Sequence, residues 1–380
     1  MKVVYVSNIF SRHQIALSDA LYRLTDGNYR FVATIPIREN IQAYYSVDEA
    51  REYVLPVYAD DSAAAEALKW IRDADAAVFA GAPERFVRER LKSGKLMFRC
   101  TERPLKNGPE PLKYLPRLLR WHWQNPPGAP IYLLCSSAYT AADYAKFGLF
   151  RGRAFRWGYF PETIRYPDLN EVMAGKDPKK IVWVGRMLPW KHPDDAIRAA
   201  ARLKQAGSAF SLDLIGGGEM EPILRELIRE NDLSDCVRLL GVLSSEDVRW
   251  HMREAGIFLM TSDRREGWGS VLNEAMNAGC AVVASSAAGA VPYLIAHEQN
   301  GLRYDAGDVG ALTGHVAGLL DAPQRQRALG EAAYETITTL WNAETAAERL
   351  LALTEALLTG RRSVELFETG PCSQESGREH

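Results

Sequence analysis

Two glutamates, Glu266 and Glu274, stand eight positions apart in the segment REGWGSVLNEAMNAGCAVVAS, residues 265–285. Glycines after the first glutamate permit a tight turn, and Ser270 has a side chain of the type that begins helices. The apolar spacing that follows predicts a helix that stops at Gly279. Free N–H groups at the start of such a helix favour an anion such as phosphate. The segment therefore offers one carboxylate before a phosphate-binding helix start and a second one inside the helix.

Two cations follow a predicted buried strand in the stretch VGRMLPWKHP, residues 184–193. The strand ends at Gly185, and Arg186 and Lys191 both precede the next helix. Arginine supplies a planar fork of N–H donors and lysine a compact charge, which together suit a diphosphate. Solvated surface charges are the simpler interpretation, but the position beyond a strand end favours a ligand.

A third loop, LIGGGEMEP, residues 214–222, places three glycines between a strand and a helix. Such glycines let backbone N–H groups approach an anionic or polyhydroxylated ligand, although glycine-rich loops are common at this position. The loop lacks the G-x-G-x-x-G spacing of dinucleotide-binding proteins. Because carboxylates repel phosphate, we assign the two glutamates to hydroxyl groups. A nucleotide sugar carries hydroxyls on its ribose and on its transferred sugar, so the three loops together predict a nucleotide-sugar site.

Short apolar strands and amphipathic helices alternate along both halves of the chain. In the first half the strand candidates are Val3–Val6, Phe31–Ile35, Ala76–Ala80, Lys95–Cys100 and Ile131–Cys135. In the second half they are Ile181–Gly185, Phe210–Gly218, Val237–Gly241, Ile257–Met260 and Cys280–Ser285. Strict alternation predicts parallel sheets with helices on both faces, and ligands of such sheets bind beyond the carboxyl ends of the strands. All three loops occupy such ends.

A chain of 380 residues is too long for one compact core. We predict an α/β fold with two doubly wound Rossmann-like domains facing a central cleft. The first domain covers residues 1–165 and the second covers residues 181–340. The proline-containing stretch 166–180 is predicted to be a linker. Residues 341–359 are predicted to form a helix near the domain junction, and residues 360–380 a flexible tail.

The formal net charge of −2 hides an asymmetry between the two halves. Residues 1–165 carry 24 Lys and Arg against 17 Asp and Glu, a net of +7, and the remainder carries −9. The basic half is expected to meet an anionic lipid surface or a phosphorylated acceptor. Nucleic acid is disfavoured because no nucleic-acid-binding motif is present.

Apolar runs in the sequence are short. None reaches the roughly 20 residues of a membrane helix, and the apolar start is too short for a signal peptide. The cytoplasm is therefore the favoured location. The five cysteines are scattered without C-x-x-C spacing, so reduced thiols are expected rather than a zinc site or disulfides.

The segments GRMLPWK, GGGE and EGWGSVLNE together resemble the donor site of GT-B glycosyltransferases of family 4, also called group 1. The resemblance extends from Ile181 to about Leu320. It implies that Glu266 contacts the transferred sugar and Glu274 the ribose, while Arg186 and Lys191 neutralise the diphosphate. It further implies metal-independent, retaining transfer of a hexose from a UDP- or GDP-sugar, without a cofactor. The acceptor would be a saccharide or lipid-linked group in cell-surface polysaccharide or glycoconjugate synthesis.

The resemblance also predicts which residues line the donor site. They are Gly185, Gly216, Gly217, Gly218, Glu219, Leu243, Gly267, Trp268, Gly269, Ser270, Val271, Leu272 and Glu274. Gly267, Trp268 and Gly269 would line the sugar pocket with backbone groups. The base of the nucleotide is expected to lie against backbone near Gly241–Leu243.

The first half offers fewer candidates for chemistry. His13 lies at a predicted helix start after the first strand, and we expect it to orient the acceptor or carry a proton because histidine titrates near neutral pH. A helix-terminal surface histidine is the equally weighted alternative. Glu102 and Arg103 follow a later strand and resemble the S-E-R segment of a subgroup associated with capsular and other surface polysaccharides. Glu102 is predicted to orient an acceptor hydroxyl and Arg103 to bind phosphate.

Residues 111–128, PLKYLPRLLRWHWQNPPG, interleave basic side chains with leucines and tryptophans. This pattern is typical of a helix that contacts an anionic membrane surface, and an ordinary partly buried helix is at least as well supported.

Two other kinds of protein share the features of the second half. The first is a GT-B-like epimerase or phosphorylase. An epimerase would act on a nucleotide sugar without any acceptor, and a phosphorylase would need a cofactor-bearing lysine that no motif supports. The second is a non-catalytic protein that binds a nucleotide sugar.

Overall fold

The computed structural model describes residues 1–37, 51–108, 110–361 and 366–376. Contacts divide the chain into two compact units. The first contains Met1–Glu162 and Trp341–His380, and the second contains Thr163–Leu340. Each unit is built around one parallel sheet. The predicted α/β fold with two doubly wound domains is confirmed.

In the first unit, seven parallel strands have the order β3-β2-β1-β4-β5-β6-β7. Their bounds are β1 (Val3–Ser7), β2 (Tyr29–Ala33), β3 (Val54–Pro56), β4 (Ala76–Ala80), β5 (Met97–Thr101), β6 (Ile131–Cys135) and β7 (Ala154–Arg156). The helices before the second unit are α1 (Arg12–Leu24), α2 (Asp61–Asp73), α3 (Glu84–Ser93), α4 (Tyr114–Gln124) and α5 (Thr140–Ala145). The central strand β1 is buried along its whole length, as expected for a strand inside a parallel sheet that is covered on both faces.

In the second unit, six parallel strands have the order β10-β9-β8-β11-β12-β13. Their bounds are β8 (Asp177–Val184), β9 (Ser211–Ile215), β10 (Val237–Gly241), β11 (Ala255–Met260), β12 (Ala281–Ser285) and β13 (Leu302–Tyr304). The helices are α6 (Leu169–Ala174), α7 (Pro193–Gln205), α8 (Glu221–Glu230), α9 (Ser245–Glu254), α10 (Val271–Asn277), α11 (Val291–Leu294), α12 (Val309–Leu320) and α13 (Pro323–Glu335). The strand order reverses between the central strands β8 and β11, and ligands of open parallel sheets bind beside such a reversal.

The stretch 166–180 is not the predicted linker, because it contains α6 and the beginning of β8 and belongs to the second unit. Asp168 caps α6 by accepting a hydrogen bond from Asn170 N at 2.8 Å, and two apolar residues of the helix are buried. Pro178 lies before the residues of β8 that pair with β9, so its missing N–H removes no bond from that ladder. The prolines therefore led to the wrong prediction of a linker where the chain forms α6 and the start of β8.

The last described helix, α14 (Ala343–Leu358), packs on α1 and belongs to the first unit. Arg23 of α1 forms an ion pair with Glu344 of α14. The described residues 366–376 are also packed, contrary to the predicted flexible tail. Cys372 is fully buried, and Gln374 forms an antiparallel bridge with Phe155 of the edge strand β7. Backbone pairing along this strand orders a segment that has few apolar side chains.

All five cysteines lie in the described residues and have free thiols. Four of them are buried, and Cys236 is half-buried. The longest described helix, α14, has 16 residues. Among the described helices, none combines the length and apolar character that would take it across a bilayer.

Candidate functional site

Lys191 and Glu266 form an ion pair that joins the loops after the two central strands, β8 and β11. Both side chains are only 14% exposed. Ser262 donates a second hydrogen bond to the same carboxylate oxygen of Glu266, at 3.1 Å. The structure therefore brings together a predicted diphosphate-binding cation and a predicted sugar-binding carboxylate, at the reversal of the strand order.

Two polar residues after β11, Thr261 and Asp263, hold these two loops together. The hydroxyl of Thr261 donates to the backbone carbonyl of Lys191 at 2.6 Å and accepts from the indole of Trp183 at 2.8 Å. Asp263 N donates to Trp190 O at 2.8 Å. Thr261, Ser262 and Asp263 were not among the predicted site residues. The signal for them was a polar run directly after an apolar strand beside the reversal.

The glycine loop after β9 packs on the cation loop after β8 through backbone atoms. Met187 N donates to Gly217 O at 2.8 Å, and Met220 N donates to Met187 O at 3.1 Å. Gly216 has a φ of 134°, and a Cβ there would lie 1.9 Å from the carbonyl oxygen of Gly185. A larger residue would separate the two loops, so glycine is required for loop packing as well as for any ligand approach.

Several predicted donor residues at these strand ends are accessible. Arg186, Gly218 and Glu219 are exposed, and Leu243 is half-buried. Arg186 and Glu219 form no ion pair with any residue that the structure describes. Their charges are therefore free to act on a ligand.

The segment with the two glutamates folds nearly as predicted. Helix α10 begins at Val271 and its C-cap is Ala278, next to Gly279. Gly269 has a φ of 89°, and a Cβ there would lie 2.2 Å from Cε of Met260 at the end of β11. Ser270 occupies the N-cap position, but its side chain makes no capping hydrogen bond because its backbone is already helical. Glu274 is half-buried within α10.

Two residues of the predicted donor set have side chains in the core. Trp268 and Leu272 are both fully buried. The indole of Trp268 donates to the side-chain oxygen of Asn273 at 2.9 Å, and its backbone oxygen accepts from Ala290 N at 3.2 Å. These side chains support the loop from beneath, and the predicted contacts of Gly267, Trp268 and Gly269 with the sugar, which are made by backbone groups, do not depend on them. Gly267 and Val271 lie beside them and are buried and half-buried, respectively.

One group of described residues has ligand atoms close enough to hold a metal ion, namely His192, Asp194 and Asp195. The guanidinium of Arg198 binds the two carboxylates at 3.0 Å and 3.1 Å. Burial, with a smaller effect of the Asp194 charge, raises the pKa of Asp195. Because an arginine already pairs with both carboxylates, we assign no metal to the group.

In the first unit, Glu102 and Arg103 follow β5 at the carboxyl edge of its sheet. Glu102 accepts a hydrogen bond from the hydroxyl of Tyr159 at 2.7 Å and stays partly exposed. Arg103 is 10% exposed, contacts Asp143 at 3.3 Å and lies 4.5 Å from the ring centre of Tyr139. Its guanidinium is thus occupied by the protein, which argues against the predicted binding of an acceptor phosphate.

His13 lies in the first turn of α1, as predicted, and is half-buried. Burial, with a smaller effect from the charge of Arg12, lowers the pKa of His13 to about 4. The expectation that this histidine titrates near neutral pH is therefore corrected. At neutral pH its ring is uncharged and only weakly basic, so it can accept a hydrogen bond from a neighbouring group.

Comparison with known proteins identifies the second unit. Residues 168–336 match the family described as Glycosyl transferases group 1. The second unit is a group 1 glycosyltransferase domain. The match contains all three loops of the site, since they lie between Gly185 and Glu274. The predicted resemblance of this unit to group 1 glycosyltransferases is confirmed.

Curated relatives align with part of the chain. The amylovoran biosynthesis glycosyltransferase AmsK of Erwinia amylovora is 36% identical over 162 residues, which is 41% of this chain and 39% of that protein. A mannosyltransferase of Mycobacterium tuberculosis, described as GDP-mannose-dependent and as acting on phosphatidylinositol monomannoside, is 30% identical over 176 residues. That alignment spans 45% of this chain and 46% of the relative. The chain thus aligns with less than half the length of these relatives.

Solved structures resemble nearly the whole chain. Anabaena HepE, crystallised with UDP, has a TM-score of 0.69 at 14% identity and covers 94% of this chain and 100% of its own. The lipopolysaccharide outer core galactosyltransferase WaaB has a TM-score of 0.64 at 16% identity, covering 95% and 99%. These likenesses establish that the group 1 glycosyltransferase domain is part of a chain with the GT-B fold.

Proposed function

We propose that the chain is a glycosyltransferase that moves a hexose from a UDP- or GDP-sugar to a saccharide or lipid-linked acceptor. The observation that carries the proposal is the contact between Lys191 and Glu266. It sets a cation for phosphate and a carboxylate for hydroxyl groups side by side where parallel sheets bind ligands. In a nucleotide-diphosphate sugar, the diphosphate is bonded directly to the sugar that is transferred. Such a ligand therefore needs a cation for the phosphate and a carboxylate for the sugar hydroxyls close together.

Cleavage of the donor leaves negative charge on the distal phosphate of the nucleotide. Lys191 and the exposed Arg186 stabilise this charge as it develops, which is the main catalytic contribution of the second unit. Lys191 exchanges its contact with Glu266 for one with phosphate, and Glu266 then accepts hydrogen bonds from the transferred sugar. Glu274 holds the ribose hydroxyls. Because two cations neutralise the leaving group, the reaction needs no metal ion.

The acceptor oxygen forms a bond to the anomeric carbon while the bond from that carbon to the phosphate oxygen breaks. The acceptor proton passes to the departing phosphate, on the same face of the sugar, and configuration is retained. We assign acceptor binding to the first unit, where Glu102 and the uncharged His13 follow strands of its sheet. A protein base of high pKa is not needed on this route.

The names of the relatives support this choice of substrates. AmsK is named for amylovoran biosynthesis, and the mycobacterial relative for transfer of mannose to a phosphatidylinositol mannoside. A polysaccharide or glycolipid of the cell surface is therefore the product that we assign to this chain. HepE was crystallised with UDP, and the mycobacterial relative is named as GDP-mannose-dependent, so the proposal includes both nucleotides.

The test is a panel of UDP- and GDP-sugars measured first by thermal shift and then by product analysis in EDTA. A cognate donor should raise the melting temperature, and transfer should require an acceptor and continue without divalent metal. No shift with any donor would contradict the proposed donor site. Conversion of the donor to an epimer in the absence of an acceptor would establish the epimerase instead.

A further inference from the structure

Helix α4 has two apolar faces. One face packs in the first unit, where Leu118 and Trp121 contact a cluster formed by Leu105, Phe147 and Leu149. The opposite face is exposed and, together with the helical turn Pro111–Lys113 before it, carries a stripe of four side chains spaced three or four residues apart. They are Leu112, Leu115, Leu119 and Trp123, with exposed fractions of 96%, 60%, 63% and 59%. We refer to these four residues as the apolar stripe.

Burial within the first unit does not account for the apolar stripe. A surface helix normally turns polar side chains to water on the face opposite the core. Other large exposed apolar side chains of the described residues are spread along the chain, as at Tyr58, Ile223 and Leu358. Contiguous exposed apolar surface of this kind marks a site of contact with another molecule or with a membrane.

Arginines without carboxylate partners lie on the helix that carries the apolar stripe and on the helix beside Trp123. Arg120 lies on α4 itself, and Arg88 of the neighbouring helix α3 lies 4.1 Å from the ring centre of Trp123. Arg85 lies one turn before Arg88. None of these three arginines forms an ion pair with a residue that the structure describes. The surface therefore combines exposed apolar side chains with positive charge.

We propose that the apolar stripe and its flanking arginines dock the chain on the surface of an anionic lipid bilayer. Leucines and a tryptophan enter the interfacial region, while arginines contact the lipid phosphates. A second copy of the chain is a poorer partner, because a two-fold contact through this face would bring like charges together. A bilayer meets both the apolar and the charged requirement.

The biological purpose of this docking rests on the proposed function, because a lipid-linked acceptor is held in a membrane. Binding to vesicles needs neither a donor nor turnover. The two proposals can therefore fail separately, and vesicle binding is the direct test of this one.

The experiment is cosedimentation of the full chain with vesicles of phosphatidylcholine and phosphatidylglycerol in equal amounts, and with vesicles of phosphatidylcholine alone. We expect binding to the anionic vesicles that weakens with salt. The triple variant L115Q/L119Q/W123Q should lower partitioning by at least about tenfold. The double variant R88Q/R120Q should lower it by roughly fivefold per arginine and remove most of the salt dependence.

The control variant I223Q/L358Q removes two other exposed apolar side chains, 56% and 50% exposed, and should bind like the unmodified chain. Circular dichroism and melting temperature verify that each variant is folded. Failure of the unmodified chain to bind anionic vesicles at low salt would overturn the proposal. So would unchanged binding by the triple variant. A dimer in light scattering that dissociates in the triple variant would assign the stripe to self-association and would also overturn it.

Discussion

Lys191 and Glu266 are 75 positions apart in the sequence and form one ion pair between the loops after β8 and β11. The pair holds each charge at the central strands of the sheet, where the strand order reverses. Donor binding, in the function proposed here, replaces this internal contact by contacts with phosphate and sugar.

Replacing Lys191 by alanine should lower turnover at least about 100-fold, on the order of 3 kcal/mol, because charge on the leaving phosphate loses a partner. Glu274→Ala should have an effect of similar size through the ribose. Steady-state kinetics with the cognate donor measure both. Lys204→Ala is the matched control, since it removes a lysine of α7 that pairs with Asp232 and Asp235, outside the three loops. Near-normal rates in both Lys191→Ala and Glu274→Ala would contradict the roles assigned to these two residues.

Gly216→Ala should weaken donor binding by at least about tenfold and lower the melting temperature, because the added methyl group would meet the carbonyl of Gly185. Gly207→Ala is the control that distinguishes the effect of this contact from the effect of backbone strain alone. Gly207 also has a positive φ, 77°, but nothing lies within 4 Å of its Cβ position. It should cost only about 1 kcal/mol of stability and leave donor affinity unchanged. Equal effects of the two substitutions on affinity would show that loop packing is irrelevant.

Thr261→Val keeps the shape of the buried side chain but removes its hydroxyl. The indole N–H of Trp183 and the carbonyl of Lys191 would each lose a hydrogen bond, so we expect about 2 kcal/mol less stability in urea unfolding. The Lys191 loop should also lose its position, which lowers kcat. Thr261→Ser retains the hydroxyl and should recover most of both losses. A valine variant with full stability and activity would contradict this positioning role.

The lowered pKa of His13, about 4, predicts how stability depends on pH. The unfolded chain binds the proton near pH 6.5 and the folded chain only near pH 4, so this stabilisation is complete above pH 6.5 and is lost as the pH falls toward 4. His13→Gln should therefore lose less stability than the unmodified chain between pH 7 and pH 5, by about 1–2 kcal/mol. Urea unfolding at the two pH values measures the difference. Identical pH dependence in both proteins would contradict the lowered pKa.

Alternation of apolar strands and amphipathic helices predicted the two parallel sheets because buried parallel strands are apolar throughout. The ten predicted strands correspond to observed ones within a few residues. The strands that were not predicted, β3, β7 and β13, have three residues each. Pieces this short carry no periodic pattern, and only the neighbouring strand specifies them.

Within the candidate site, residue type and spacing identified the groups with charge, such as Lys191 and Glu266. They did not identify Thr261, whose role depends on two partners that are distant in the sequence. Burial is the other property that single residues do not reveal. Burial lowers the pKa of His13. Arg103 is withdrawn from solvent by its ion pair with Asp143, a residue that another element contributes.

Helix α14 follows the second unit in the sequence but packs in the first unit. This arrangement affects the order in which the chain folds during synthesis. The ribosome synthesises the whole of Thr163–Leu340 before it makes the helix that packs on α1. We therefore expect the second unit, although translated later than β1, to reach its final packing first, while the N-terminal sheet waits for its last helix to emerge.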